Sequence, residues 1–207
     1  MSALPMGVDD FDPLVDLAGM WTNDLAQLYL PIDGMLATRY EAVDGKLVMS
    51  PYEGSGNSWA SKRLARQLDD MAEAAGFALY MTLNVVFAAH SWIQPDLVLL
   101  RDTLELDTWV SADEVVMPIE LVSPSSRRRD RIDKPALMAK AGIPFYLRIE
   151  VTKSLPAVSA ELCELRDGLY HPIERSTGGR RLDSDVPFPM SVDLLDLLEP
   201  RRRQKLV

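Results

Sequence analysis

Two apolar runs organise this chain: QPDLVLL at residues 94–100 and VVMPIELV at residues 115–122. Both have the length and composition of buried β-strands. Each also carries a carboxylate, Asp96 in the first run and Glu120 in the second. Burying an ionised carboxylate is unfavourable unless the group is paired or binds a metal. Asp96 and Glu120 therefore predict a functional site between two neighbouring strands.

The sequence around these runs predicts a mixed α/β (α+β) fold with a central sheet flanked by helices, because helical and strand-like periods alternate irregularly. Residues 22–198 are expected to form one domain, after a poorly ordered lead-in at residues 1–21 and before a basic tail at residues 199–207. Further predicted elements are a helix capped by Thr22 or Asn23 and reaching Leu30, a hairpin over 39–49, a helix from Asn57 or Ser58 to Ala75, a strand over 83–88, a helix over 133–141, a strand over 144–152, a hairpin over 161–174 and a short helix over 192–198.

Composition limits the class of protein. The chain has 207 residues, of which 47% are apolar and 26% charged, as in ordinary globular proteins. A single cysteine, Cys163, allows no internal disulfide and favours a reducing cytoplasm. We expect neither a signal peptide nor a membrane-spanning segment, since residues 1–12 are acidic and the apolar runs are short.

The charge distribution bears on nucleic-acid binding. A net charge of −9 argues against a protein that coats nucleic acid without specificity. Arginines are nevertheless concentrated directly after the second apolar run, where Arg127, Arg128 and Arg129 are candidates for contact with phosphate. Two later basic clusters, at residues 180–181 and 201–205, are expected to be solvated surface and tail.

The carboxylates and a nearby lysine predict a particular chemistry. Mg²⁺ prefers hard oxygen ligands, usually one or two carboxylates completed by water and phosphate. A lysine beside such an ion can activate a water molecule or stabilise negative charge on a phosphate. Asp96 after Pro95, Glu120 inside a strand and the nearby Lys134 supply each of these groups.

The same segments carry a family resemblance. Gln94-Pro95-Asp96, then Ile119 to Ser126, then Asp130 with Lys134, then Ala141 to Pro144 with Tyr146, resemble the Uma-two family of the PD-(D/E)xK, or restriction-endonuclease-like, superfamily. The hairpin around Asp44-Gly45 and the segment 192–198 also resemble this family. The resemblance implies a nuclease that hydrolyses phosphodiester bonds in nucleic acid, with DNA as the expected substrate, Mg²⁺ or Mn²⁺ as cofactor and a homodimer as the expected assembly.

The resemblance also implies roles for individual residues. Asp96 and Glu120 would bind the metal, with Glu41 from the first hairpin as a third ligand. The superfamily lysine usually stands two residues after the second carboxylate, where this chain has Val122, and Lys134 takes its place on the following helix. Asp130 would support Lys134. Asn57 stands where the family often has histidine.

Two other interpretations remain open at this point. The chain could keep the nuclease fold as a non-catalytic binding or scaffold protein, which its acidic net charge favours. It could also hydrolyse a phosphoester that is not a nucleic acid. Pro135, next to Lys134, leaves open where the lysine side chain points.

Overall fold

A computed structural model describes residues 11–51, 53–105, 107–123, 126–152 and 157–200. The helices are α1 (Pro13–Asp16), α2 (Asn23–Tyr29), α3 (Ser55–Ala74) and α4 (Lys134–Lys140). Short 3-10 turns occupy Ala112–Glu114 and Leu194–Leu197, and a π-helical turn occupies Arg129–Asp133. The strands are β1 (Ala37–Val43), β2 (Lys46–Pro51), β3 (Ala78–Met81), β4 (Asn84–Ala88), β5 (Ser91–Ile93), β6 (Leu97–Leu100), β7 (Trp109–Ser111), β8 (Val115–Val122), β9 (Phe145–Thr152), β10 (Ala157–Arg166), β11 (Leu169–Thr177), β12 (Arg181–Ser184) and β13 (Met190–Asp193).

The strands form two large sheets and a separate pair. The larger sheet has the order β11-β10-β9-β8-β6-β3, and the smaller has the order β2-β1-β5-β4-β7. Strands β8 and β9 are parallel, as are β4 and β7, whereas the other pairs are antiparallel. Strands β12 and β13 pair with each other. This mixed topology confirms the predicted α/β fold class.

The larger sheet is covered on both faces, which explains its apolar runs. All eight residues of β8 are buried. Along β6, Leu97 and Leu99 belong to one core cluster, and Val98 and Leu100 belong to another. This alternation is the period of two expected of a strand whose faces pack against different layers. The first cluster also contains Leu64 and Leu68 of α3, and the second contains Met138 of α4.

The N-terminal elements pack on the smaller sheet. Thr22 caps α2 by accepting a hydrogen bond from the backbone N–H of Leu25 at 3.1 Å, which confirms one of the two predicted caps. Trp21 and Trp92 are buried in a third cluster together with Ala26 and Ala42. Residues 11–21, within the expected lead-in, therefore include a short helix and a core tryptophan. A four-residue helix is too short to show a helical period in the sequence.

Several predicted elements have different bounds. The long helix was expected to begin at Asn57 or Ser58, but α3 begins at Ser55 with Gly54 as an N-cap that makes no side-chain hydrogen bond. The expected helix over 133–141 is α4 preceded by the π-helical turn. The expected helix over 192–198 is wrong in part, because β13 extends to Asp193 and only a 3-10 turn follows. Strands β3, β5, β7 and β12, each three or four residues long, were not predicted.

None of the described helices is long and apolar enough to cross a membrane. Cys163 is buried and carries a free thiol. The first ten residues of the lead-in, residues 124 and 125 of the family pattern and residues 201–207 of the basic tail lie outside the described residues.

Candidate active site

The register of β6 and β8 brings the two predicted carboxylates together. Leu97 lies opposite Ile119 in this antiparallel pair, and the same register places Asp96 opposite Glu120. Directly opposed residues project to the same face of a sheet. Since Leu97 and Ile119 face the α3 side of the core, Asp96 and Glu120 point to the other face. Both carboxylates are buried, each 2% exposed.

Lys134 meets these carboxylates from the opposite layer. Its Nζ atom donates to Glu120 Oε1 at 2.7 Å and lies 2.8 Å from Glu41 Oε1. Asp130 Oδ1, one turn earlier on the same helical segment, is 3.6 Å from Nζ. Pro135 lies in the first turn of α4, and the Lys134 side chain before it is directed inward and is buried.

A π-helical turn positions Lys134. Residues Arg129–Asp133 form this turn directly before α4, and wide turns of this kind occur frequently at functional sites. The hydroxyl of Tyr146 donates to the backbone carbonyl of Asp130 at 2.6 Å. Tyr146 is buried on β9 in the same core cluster as Met138 of α4. The turn is thus tied to the central sheet at the residue that faces Lys134.

Glu41 is the third carboxylate, contributed by the smaller sheet. The backbone N–H of Gln94 donates to Glu41 Oε1 at 3.0 Å, which links β1, the strand of Glu41, to the segment that carries Asp96. Arg129 donates to Glu41 Oε2 at 3.1 Å and to the Ser50 hydroxyl at 3.0 Å. Glu41 therefore lies between Lys134 and Arg129, which neutralise its charge at a buried position.

Asp96 has one fixed oxygen and one oxygen turned toward an arginine. The backbone N–H of Leu121 donates to Asp96 Oδ2 at 2.6 Å. Arg39 Nη1 lies 2.5 Å from Asp96 Oδ1, yet this oxygen accepts no aligned hydrogen bond from a described residue. Arg39 Nη2 is 3.8 Å from Glu53 Oε1 at the edge of the site. The interaction of Arg39 with Asp96 is one of charge more than of hydrogen-bond geometry.

The electrostatic environment perturbs the titration of these groups. Burial alone would lower the pKa of Lys134, but the charges of Glu120, Glu41 and Asp130 outweigh it and raise the pKa above its ordinary value. Burial alone would raise the pKa of Glu41, but the Lys134 ammonium lowers it. Burial raises the pKa of Glu120, with the Lys134 ammonium opposing the shift. Lys134 consequently carries a positive charge at neutral pH.

The charged cluster lines a cavity of about 750 Å³. Its walls include Arg39, Glu41, Asp96, Glu120, Arg129, Asp130 and Lys134, together with Asn57 at the start of α3. Asn57 donates through Nδ2 to the Leu121 carbonyl at 2.9 Å, so it joins α3 to the strand of Glu120. All of the predicted site residues except Arg127 and Arg128 therefore line one cavity.

The predicted arginines divide into two groups. Arg129 lines the cavity, whereas Arg127 donates to Glu150 at 2.8 Å outside it. Arg131 also bonds Glu150, and these two arginines lower the pKa of that carboxylate despite its partial burial. Arg128 is 84% exposed and lies 3.8 Å from Asp133. Only one of the three candidate phosphate contacts therefore adjoins the carboxylates.

Two cavity residues, Arg39 and Glu53, were missed in the sequence. Arg39 stands two positions before Glu41 on β1, and the strand period of two places both on one face, which is a signal that could have found it. Glu53 lies in a loop with no periodic signal. Burial and the negative charge of Asp96 raise the pKa of Glu53 to about 7.

The donor atoms suit a divalent metal in their chemistry. Asp96, Glu120 and Glu41 offer the carboxylate oxygens that Mg²⁺ and Mn²⁺ prefer. Asp96 Oδ1 and Asp130 Oδ1 are buried and accept no hydrogen bond from a described residue, as expected of atoms that a cation can reach. Among the described residues no group of three His, Cys, Asp or Glu side chains is already arranged to hold a metal ion. Lys134, Arg39 and Arg129 form ion pairs with these carboxylates. The residues fit the ion in type, with protein cations as their present partners.

Comparison with known proteins gives the family of the chain. The chain matches, over residues 27–197, the model of the Uma2 family, described as "Putative restriction endonuclease". It resembles a solved structure from Anabaena variabilis described as "a putative nuclease belonging to DUF820", with 16% identity, a TM-score of 0.56 and coverage of 81% of this chain and 91% of that chain. A search of curated proteins finds no match. With most of its length covered by the family model, the chain belongs to the Uma2 family of restriction-endonuclease-like proteins.

Proposed function

We propose that the protein is a metal-dependent nuclease that hydrolyses phosphodiester bonds, with DNA as its substrate. The observation that carries this proposal is the convergence of Lys134 on Glu120 and Glu41, at 2.7 and 2.8 Å, beside Asp96. Four chain segments contribute these groups to a buried cluster that opens into a cavity. Keeping such a cluster of charges buried is costly for stability, which is a reason to expect a function for it.

The metal ligands in this proposal are Asp96 and Glu120, with Glu41 as the third. When bound there, Mg²⁺ or Mn²⁺ would lower the pKa of a coordinated water and stabilise negative charge on the phosphate. Asp96 keeps one oxygen fixed by the Leu121 N–H, so its other oxygen is the one that would bind the ion. The strands hold Asp96 and Glu120 opposite each other, which pre-organises both ligands.

Lys134 stabilises charge in this mechanism. Its raised pKa keeps the ammonium protonated at neutral pH, which makes it a poor base and a good hydrogen-bond donor to a phosphate oxygen. Asp130 holds the ammonium in place at 3.6 Å. Arg129, at the cavity wall, contacts the phosphate backbone in the proposed complex. Arg127 and Arg128 would extend that contact outside the cavity.

Cleavage assays test the proposal. Supercoiled plasmid, single-stranded DNA and a small chromogenic phosphodiester are incubated with Mg²⁺ or Mn²⁺, with chelator as the blank. We expect cleavage of a nucleic acid by the wild type, loss of cleavage in Asp96→Ala and Glu120→Gln, and full activity in Lys140→Met, which removes an exposed lysine of α4. Equal activity in the wild type and both carboxylate variants would refute the proposal. Turnover of the small substrate alone would indicate a different phosphoester.

A second candidate function is a non-catalytic binding protein with the nuclease fold. The ion pairs of Arg39 with Asp96 and of Lys134 with Glu120 favour it, since they satisfy the carboxylates without any metal. Calorimetric titration with Mn²⁺ separates the two candidates. Binding that Asp96→Ala abolishes supports the nuclease, and the absence of binding at millimolar Mn²⁺ supports the scaffold.

A homodimer in a reducing cytoplasm completes the proposal. Many restriction-endonuclease-like nucleases cut two strands with two copies of one site, and the free, buried thiol of Cys163 is compatible with a reducing compartment. Light scattering of the purified chain measures the mass in solution. A mass of one chain, 23.1 kDa, at all concentrations would overturn the dimer.

A further inference from the structure

Arg39 occupies the oxygen of Asp96 that a metal would need. The Asp96 carboxylate lines the cavity and has its Oδ2 atom fixed by the Leu121 N–H at 2.6 Å, which leaves Oδ1 as the oxygen for another partner. Arg39 Nη1 stands 2.5 Å from that Oδ1 atom. A guanidinium and a divalent cation repel each other strongly at such separations. The guanidinium and the metal ion therefore compete for Asp96 Oδ1.

Arg39 has a second carboxylate, Glu53, near its guanidinium. Its Nη2 atom lies 3.8 Å from Glu53 Oε1, and its side chain is 21% exposed whereas that of Asp96 is 3% exposed. The guanidinium thus extends from a buried carboxylate to the wall of the cavity. The described contact between Arg39 and Asp96 is a single ion pair, between Nη1 and Oδ1. A small movement outward would keep Glu53 as a neighbour and free Asp96.

Arg39 is also suited to a phosphate. A guanidinium offers paired N–H donors that match two phosphate oxygens, and it stays charged at any working pH. Burial alone would lower the pKa of Arg39, but the Asp96 carboxylate raises it, so the arginine stays positively charged although it is partly buried. Arg129 also lines the cavity and forms an ion pair with Glu41.

We propose that Arg39 exchanges partners: it pairs with Asp96 in the metal-free protein and moves to a phosphate of the nucleic acid when a divalent cation binds Asp96. This inference rests on the proposed nuclease function and adds a residue to it. Metal and nucleic acid are then coupled through one side chain, since each favours the position of Arg39 that the other needs. Coupling of this kind typically changes an affinity by about 5- to 150-fold.

The test measures two affinities in the full-length chain with Arg39→Gln. Without the competing guanidinium, Mn²⁺ binding measured by calorimetry should become at least about fivefold tighter than in the wild type. Binding of a short phosphorothioate duplex, which resists cleavage, should weaken about tenfold in Mn²⁺ and stay unchanged in chelator. The slope of log affinity against log salt in Mn²⁺ should fall by about one. A role in stability alone would weaken both affinities together.

Matched variants separate the possible failures. Arg166→Gln removes one exposed positive charge outside the cavity, and it should leave Mn²⁺ binding unchanged. If Asp96→Ala abolishes Mn²⁺ binding but Arg39→Gln fails to tighten it, the metal site stands and the exchange is refuted. If neither the wild type nor Arg39→Gln binds Mn²⁺, the proposed metal site and the exchange are both refuted.

A charge-conserving variant covers the case in which Arg39→Gln does not fold. Arg39→Lys keeps the positive charge but loses the planar pair of donors. We expect it to weaken duplex binding about threefold or more in Mn²⁺ and to leave binding in chelator unchanged. Equal duplex affinity of Arg39→Lys and the wild type in Mn²⁺ would overturn the exchange.

Discussion

Replacing Lys134 with methionine should destabilise the protein strongly, because the buried carboxylates lose their shared counter-ion. The lysine is 7% exposed and contacts Glu120 at 2.7 Å and Glu41 at 2.8 Å. Removing one partner of a buried ion pair generally costs about 3–5 kcal/mol. Methionine keeps a similar apolar stem, so lost charge accounts for most of the effect.

Protonation sets an upper limit on this loss. The cluster can replace the missing charge by binding a proton on one carboxyl group, which at pH 7 costs about 3.7 kcal/mol for a group with an ordinary pKa of about 4.3. The variant's carboxyl then has a folded-state pKa above its unfolded value. Its stability deficit therefore grows with pH above about 4.3, by about 1.4 kcal/mol per pH unit. We expect a deficit of about 3–4 kcal/mol at pH 7 and about 1 kcal/mol at pH 5.

Urea unfolding in chelator measures these quantities at both pH values. In thermal unfolding, a deficit of about 3 kcal/mol corresponds to a loss of roughly 6–12 °C in Tm for a chain of this size. Lys140→Met is the matched control, since Lys140 is an exposed lysine on the same helix and its loss should change stability by less than about 0.5 kcal/mol. Adding Glu120→Gln to Lys134→Met should recover about half of the deficit or more.

Two results would refute this reasoning. A deficit below about 1 kcal/mol at pH 7 would mean that Lys134 is not the counter-ion of an ionised cluster. A deficit that stays constant from pH 7 to pH 5 would mean that no proton replaces the lost charge.

Three further predictions concern other parts of the site and core. Glu41→Gln should cost about 1–3 kcal/mol at pH 7, because burial would raise the pKa of Glu41 but the Lys134 ammonium lowers it, so the ionised carboxylate stabilises the fold. This cost should begin to fall near the unfolded pKa of about 4.3 and disappear only below the lowered pKa of the folded protein. A pH-independent difference in urea unfolding would contradict this prediction. Tyr146→Phe removes the hydrogen bond to the Asp130 carbonyl and should cost about 1 kcal/mol while reducing cleavage more than binding; unchanged cleavage would mean that the π-helical turn needs no such tie. Leu68→Ala, in the core beneath the larger sheet, should cost about 2–5 kcal/mol of stability and leave the metal affinity of the folded protein unchanged. A changed metal affinity in calorimetry on the folded variant would contradict this and would mean that α3 influences the site.

The elements that periodicity identifies were predicted closely. The run Val115–Val122 is β8 with the same bounds, and α2 begins and ends within a residue of its prediction. The family resemblance was confirmed over most of the chain. For β8 and α2 the local hydrophobic pattern agrees with the environment in the fold, so a short window of sequence is enough to predict the element.

The short strands and the π-helical turn were beyond sequence reasoning. A three-residue strand such as β5 is stabilised by its neighbours β1 and β4, not by its own propensity. The start of α3 was misplaced because Gly54 caps it without a side-chain hydrogen bond, whereas Asn57, a better cap by type, is used to bond Leu121.

Asp96 and Glu120 could be recognised as buried carboxylates from their positions in apolar runs. Lys134 could be recognised as a nearby lysine, and the family pattern implied its role. Their partners became visible only in the folded chain. Arg39 reaches Asp96, and Lys134 reaches Glu120 and Glu41, across sheets and layers that form through distant segments. The physical reason is that burial follows from local hydrophobic periodicity, whereas the pairing of charges depends on how separate elements pack.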